Sequence, residues 1–322
     1  MLGERNWERP ARPIVLSVSS SATADAADAR ARSGFAGGLL CYVLWGFLPL
    51  LFDLLKDVGS VAIVANRTVW SLLFVGAILL AGRRLGEVKA ALRDSKTLRS
   101  MVVSSILLAA NWLIYVYAVE AGQVVEASFG YFINPLVNVV LGMALLGERQ
   151  NRWQWTAITV AVVAIAIQAV GIGRVPVIAL GLALSFGLYG FFRKTARVNS
   201  ASGLFVETLI LIPLAVAYLV WLIVQQGGLG SMSTPFDATL LVLTGPATAV
   251  PLLLFAFAVQ RLRLTTIGML QYVSPSIQFL AAIFILHESI NAVQLLSFGL
   301  IWLSLLIYSA DSVFRRRAAA AV

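Results

Sequence analysis

The chain has 322 residues, 60% hydrophobic and 12% charged, with a formal net charge of +9 and a mean hydropathy of +0.89. A soluble domain runs about 45–50% apolar and about 25% charged, so this chain has too little polar surface to coat a soluble globule of its size, and disordered, collagen-like and disulfide-rich classes are excluded with it. A single cysteine, Cys41, rules out an intrachain disulfide, and a single histidine, His287, cannot supply the three or four ligands of a zinc site; no metal and no cofactor is expected.

Residues 1–33 are polar and rich in Arg, Ala and Ser, with no apolar run longer than Pro13 to Val18. This reads as a disordered cytoplasmic tail, not a signal peptide. Ten apolar segments follow: Gly34–Phe52, Ser60–Ala81, Met101–Val119, Val124–Leu146, Trp153–Gly171, Pro176–Phe192, Gly203–Val224, Ala238–Val259, Leu264–Leu286 and Ala292–Ala310. A spanning helix needs about 20 apolar residues, fewer or more with tilt. The runs show no period-2 alternation, so they read as helices and the fold as an all-α polytopic membrane protein. A basic cytoplasmic tail, 312–322, closes the chain.

With the N-terminus in the cytoplasm, 21 of the 24 basic residues fall on inner segments; only Lys56 and Arg174 fall outside, and Arg67 lies within the second span. The excess of Lys and Arg on inner loops sets orientation in membrane proteins. It places both termini inside and the protein in the cytoplasmic membrane, and it accounts for the net charge without nucleic acid.

An internal repeat runs at an offset of 140. Pro135 matches Pro275, Leu146 matches Leu286, Glu148 matches Glu288, Asn151 matches Asn291 and Gln154 matches Gln294. The Asn-x-x-Gln pairs read as capping boxes opening spans five and ten. Trp45-Gly46-Phe47 is echoed by Tyr189-Gly190-Phe191. The chain thus divides into two five-helix halves, 34–171 and 172–311. Five is odd, so the second half enters from the opposite face. Inverted repeats of this kind characterise secondary transporters; an old duplication kept for packing is the plainer alternative.

Spans four and nine carry a polar stripe, Tyr131, Asn134 and Asn138 on one and Gln271, Ser274 and Gln278 on the other, each at i, i+3 and i+7 and so on one helix face. Such faces line a wet cavity or bond helix to helix. Pro135 and Pro275 free the carbonyls four residues earlier and would act as hinges. To the expected path the reading adds Trp45, Asn66, Arg67, Asn111, Tyr115, Tyr189 and Glu207. Asn66 aligns with Glu207 at an offset of 141. Ionisable groups inside spans are rare and costly, and mark pathways or buried pairs. Glu207 faces the path, where its titration would couple transport to protons, or snorkels to the cytoplasm or pairs with Arg197. Glu120 and Glu126 flank the outer turn between spans three and four and read as solvated; Glu148 and Glu288 read as helix-end hydrogen-bond partners. No phosphate-binding loop, nucleophile elbow or His-Glu-x-x-His pattern is present, so no enzyme is expected.

The run Tyr42-Val43-Leu44-Trp45-Gly46-Phe47-Leu48-Pro49-Leu50, Asn66-Arg67-x-x-Trp70-Ser71, Tyr131-Phe132-Ile133-Asn134-Pro135-Leu136 with Gly147-Glu148, and Gln271-Tyr272-Val273-Ser274-Pro275 resemble RarD-type permeases, in the EamA group of the drug/metabolite transporter superfamily. The resemblance covers about residues 34–312. It implies ten helices as two inverted five-helix repeats around a central cavity. Two positions depart from that pattern: Asn66 stands where His is frequent, and His287 where Gly is. The expected function is a secondary-active or facilitative permease that exports a small organic solute, a metabolite or drug-like compound, by alternating access. Its partners would be that solute, the bilayer and, through Glu207, protons. A non-transporting membrane sensor or scaffold, or an uptake permease of the same fold, are the alternatives.

Overall fold

A computed structural model describes residues 20–146, 150–171, 173–195, 198–226, 234–259, 261–262 and 270–320. The described residues form helices α1 (Ser20–Asp53), α2 (Ser60–Ala81), α3 (Leu85–Arg93), α4 (Ser95–Glu120), α5 (Val124–Leu146), α6 (Arg152–Gly171), α7 (Val177–Thr195), α8 (Ser200–Gln226), α9 (Pro235–Val259), α10 (Val273–Phe284) and α11 (Ala292–Ala320), with one 3-10 turn at Lys56–Val58 and no strand among them. Among the described residues six stretches are long and apolar enough to cross a membrane: Ala29–Asp53, Ser60–Ala81, Ser95–Glu120, Arg152–Gly171, Ser200–Gln225 and Pro235–Phe255. Val177–Arg193, Val273–Phe284 and Ala292–Tyr308 are shorter apolar helices. Large apolar side chains such as Val170, Leu214, Phe284 and Leu306 stand two-thirds or more exposed on the outside of the bundle, a surface that water would not tolerate and lipid requires. The protein is a polytopic, all-α membrane protein.

Two expectations need correction. Residues 20–33, expected as disordered tail, are helical and run into α1. They are rich in Ala and Arg, strong helix formers, and hold no proline. Likewise α11 continues through Arg315–Arg317 to Ala320. The expected span Leu264–Leu286 is described as helix only at Leu270 and from Val273, with a turn at Gln271–Tyr272; residues 263–269 lie outside the described part.

Side chains end and join the helices as the spacing predicts. Asn151 Oδ1 accepts from the Gln154 amide at 2.9 Å and Gln154 Oε1 from the Asn151 amide at 3.0 Å. Asn291 and Gln294 repeat this at 2.8 and 2.9 Å. These reciprocal bonds satisfy amides that a helix start leaves orphaned. His287 sits at φ 56°, in the left-handed region that favours glycine, and the residue 140 positions earlier is Gly147.

Three glutamates cap helices other than their own. Glu288 accepts from the Val124 and Val125 amides at 2.7 and 2.9 Å, at the start of α5. Glu120 accepts from the Ser60 amide at 2.8 Å, at the start of α2. Glu126 accepts from the Ile178 amide at 3.2 Å, at the start of α7, and from Arg174 Nη2 at 3.0 Å. A carboxylate at a helix N-terminus meets both free N–H groups and the positive end of the dipole. That is why Glu126, expected to be solvated, is buried.

Leaving α3 aside, ten apolar helices fall into two sets of five in chain order. The principal contacts between the sets are α1 with α9 and α10, α2 with α8 and α9, α4 with α7 and α8, α5 with α7 and α10, and α6 with α11. Exchanging each helix for its counterpart (α1 for α7, α2 for α8, α4 for α9, α5 for α10, α6 for α11) returns the same set of contacts. Backbones approach closely at the α5–α7 crossing, where a Cβ built on Gly130 would stand 2.6 Å from the Ala179 carbonyl oxygen.

The short helix α3 is tied to the start of α8 through Glu87. Its carboxylate accepts from Arg84 at 2.8 and 3.0 Å, from Ser202 Oγ at 2.6 Å and from Asn199 Nδ2 at 3.1 Å. The Arg84 bonds, then Ser202 and Asn199, hold its pKa down at about 2, from an ordinary 4.5.

Two outcomes follow. Gly130→Ala, with backbone in its way, is expected to lower thermal stability in detergent by about 1–3 kcal/mol. Gly190→Ala, at an exposed position of α7 with nothing within 4 Å, should instead raise it by roughly 0.5–1 kcal/mol through helix propensity. A depressed carboxylate stabilises above its unfolded value and loses that as pH falls. The α3–α8 tie should therefore be intact above pH 4.5 and lost as pH falls toward 2, with hydrogen exchange rising in α3 first; in Glu87→Gln that pH dependence should vanish.

Candidate functional site

Where α1, α2, α4, α5, α7, α9 and α10 meet, they enclose a cavity of about 60 Å³, room for a few waters. Its construction starts from Pro49. Proline has no N–H, so the carbonyl four residues earlier, that of Trp45, has no intrahelical donor. Gln278 Nε2 fills that vacancy at 3.1 Å and also donates to Ser274 Oγ at 3.1 Å. One amide thus joins α1 to α10 across the cavity. Asn111 does the same for α4, α5 and α7. Its Nδ2 donates to Leu182 O at 3.2 Å and Ser185 Oγ at 3.0 Å, and its Oδ1 accepts from the Tyr131 hydroxyl at 3.3 Å. Aromatic rings pack edge to face around these amides: Trp45 on Phe186 with centroids 6.3 Å apart, and Tyr131 on Phe186 at 6.1 Å.

Among the described residues Arg67 is the one cation lining the cavity and no acid lines it. It is 3% exposed. Nε donates to Thr248 Oγ1 on α9 at 2.5 Å, and the guanidinium lies over Trp112 at 4.3 Å and Phe52 at 5.3 Å. Cation–π contacts of this kind stabilise a desolvated guanidinium by about 2 kcal/mol. Among the described residues Nη1, the Tyr115 hydroxyl and Gln278 Oε1 are buried without a hydrogen-bond partner.

A second polar cluster sits between α4, α7 and α8. Glu207, fully buried, accepts from Ser104 Oγ at 2.6 Å and from the Tyr189 hydroxyl at 3.4 Å. Its described cation is Arg193, 3.7 Å away; Arg197, the partner that the sequence offered, lies outside the described residues.

The structure brings together Trp45, Arg67, Asn111, Tyr115, Tyr131, Gln271, Ser274 and Gln278 around the cavity. Tyr189 and Glu207 lie apart, in the second cluster, because Arg193 and Ser104 draw the carboxylate there. Asn66 is buried and donates to Ala62 O in its own helix at 3.0 Å. Asn134 is fully buried, with neither amide atom partnered among the described residues, and is not part of the cavity wall. The side chains of Pro135 and Asn138 lie outside the described part. Pro275 lines the cavity from the first turn of α10, where a missing N–H costs nothing; among the described residues it opens a helix and does not kink one.

A family model described as "EamA-like transporter family" matches residues 32–169 and again 174–310. The chain belongs to the EamA-like transporter family. Within it the RarD-type permeases are the near relatives: the chain is 37% identical over 287 residues to Protein RarD of Escherichia coli, covering 89% of this chain and 97% of that one. It is 39% identical over 282 residues to Protein RarD of Streptomyces exfoliatus, covering 88% and 90%. An uncharacterized transporter of Pseudomonas aeruginosa is 42% identical over 290 residues, covering 89% and 96%. One crystal structure superposes with a TM-score of 0.59 at 16% identity, over 89% of this chain and 99% of its own, a likeness of fold alone. The protein is thus a multi-pass membrane transporter of the RarD-type EamA group.

Some residues of this cavity escaped the sequence reading: Phe186 and Leu252, which carry no polar-in-span signal, and Tyr42. Gln168 on α6 carries that signal but does not line the cavity; it is fully buried with both amide atoms unpartnered among the described residues. Removing one member of a buried ion pair costs about 3–5 kcal/mol. Arg193→Met is therefore expected to lower thermal stability by about 3 kcal/mol, whereas Glu207→Gln, which keeps the Ser104 and Tyr189 bonds and leaves no stranded charge, should cost clearly less. Equal losses in detergent melts would show that the pair contributes nothing as a pair.

Proposed function

We propose that this RarD-type transporter moves a small organic solute, a metabolite or drug-like compound, across the cytoplasmic membrane by alternating access. The observation that carries the reading is the cavity's position at the crossing of two five-helix sets whose mutual contacts survive their exchange. Two such sets, each with an odd number of spans, enter the membrane from opposite faces, and an inverted pair has two related packings, one open to each side. The halves would be residues 34–171 and 172–311, with both termini cytoplasmic on the strength of the one-sided Lys and Arg distribution. The direction proposed is outward, as in the drug/metabolite exporters that the motifs resemble. The path runs past Trp45, Arg67, Asn111, Tyr131, Ser274 and Gln278, with Asn138 continuing the stripe on α5. Pro275, at the junction of the Gln271–Tyr272 turn and α10, is where the second half would hinge, and Pro135 its counterpart. Glu207, the buried carboxylate of the second cluster, is the group through which protons would couple.

Comparing metabolites in medium and cytoplasm, with and without the protein, identifies the solute. In proteoliposomes loaded with it, Gln278→Leu, which removes the amide joining Trp45 to Ser274, should lower flux roughly tenfold, the equivalent of one hydrogen bond. Asn138→Leu should lower it too, with membrane expression intact in both. Unchanged flux in both variants would remove the stripe from the path.

A further inference from the structure

A guanidinium removed from water is costly unless an acceptor matches its charge. Arg193, half-buried in the bundle, follows that rule: it faces Glu207 at 3.7 Å. Arg67, at 3% exposure, does not. Its hydrogen bond goes to a hydroxyl, its faces to two aromatic rings, and Nη1 to nothing among the described residues. The described glutamates nearest the membrane ends are engaged elsewhere, Glu120 with Ser60, Glu126 with Arg174, Glu288 with the start of α5. Asp53, next in sequence to the Phe52 under Arg67, is 3.6 Å from Lys56. The charge that would complete Arg67 therefore belongs to something that enters the cavity.

We propose that the cavity binds the carboxylate of a small organic monoanion, anchored by Arg67. The inference rests on the permease reading and names its substrate class. The unpartnered groups fit such a ligand: Nη1 and the Tyr115 hydroxyl donate to the carboxylate oxygens, and Gln278 Oε1 accepts from a donor on the rest of the molecule. A single lining cation matches one negative charge, which disfavours doubly charged phosphates. The walls of Trp45, Trp112, Tyr131 and Phe186 suit an apolar or aromatic body. Planar bidentate recognition of carboxylate is what distinguishes Arg from Lys.

The test uses the purified full chain in detergent and reads the shift in unfolding temperature with matched pairs, acetate against acetamide and benzoate against benzamide, with inorganic phosphate and phosphatidylglycerol as separate arms. At least one carboxylate should stabilise where its amide does not. Arg67→Gln should abolish that difference, and Tyr115→Phe should weaken binding roughly tenfold, one hydrogen bond to a charge. Without ligand, Arg67→Gln should melt no lower than wild type, because an unmatched charge has been removed; an Arg held for structure would melt lower. The proposal is overturned if no carboxylate exceeds its amide, if Arg67→Gln keeps the difference, or if phosphatidylglycerol alone reproduces it. Flux separates the two readings. Full transport of neutral solute by Arg67→Gln would leave the permease standing and sink the anion site, whereas carboxylate binding without any flux would do the reverse.

Discussion

Inside hydrocarbon a polar group has no water to turn to, so each must find its partner within the protein. The architecture follows from that constraint. Pro49 leaves the Trp45 carbonyl without its helical donor, and Gln278 arrives from the other half of the chain to bond it. Glu288, Glu120 and Glu126 each spend their carboxylates on the orphan amides of another helix. Asn111 bridges α4, α5 and α7. With little hydrophobic force to separate helix from lipid, these bonds and the close backbone contact at Gly130 set which helices meet and in what register. Of the groups left unmatched among the described residues, those on Arg67, Tyr115 and Gln278 belong to cavity-lining side chains, while those on Asn134 and Gln168 do not.

Most of the fold was legible in the sequence because lipid imposes a one-dimensional rule: spans of sufficient apolar length, separated by short polar turns. The capping boxes at Asn151 and Asn291 were legible for the same local reason, since three residues suffice to write them. The helical state of residues 20–33 was not, because polar composition suggests a tail while the Ala and Arg content favours helix. The site was legible where its residues are polar. Arg67, Asn111 and Gln278 stand out in an apolar run, whereas Phe186 and Leu252 look like any lipid-facing side chain. Burial of Glu126 depended on Arg174 and Ile178, some fifty residues away, and no local pattern announces that. The Pro49 signal was in plain view, yet it acquires meaning only when Gln278 is seen beside the freed carbonyl.

Two of the buried charged residues are related by the same offset as the rest of the repeat. Arg67 and Glu207 are 140 residues apart, and so are Asp53 and Arg193. Each half therefore carries an acid and a base fourteen positions apart, on its first and second spans, with the signs exchanged. In both halves the second-span charge bonds a hydroxyl on the third span of the other half, Arg67 to Thr248 and Glu207 to Ser104. Of these four residues only Arg193 and Glu207 face each other, at 3.7 Å, while Asp53 lies 3.6 Å from Lys56. Under the proposed inverted repeat, this asymmetry is what a single end state of a two-state device must look like. Two equal halves cannot hold the same conformation at once if one face is to be open and the other shut. Arg67, the cation outside that contact, is the one that lines the cavity among the described residues.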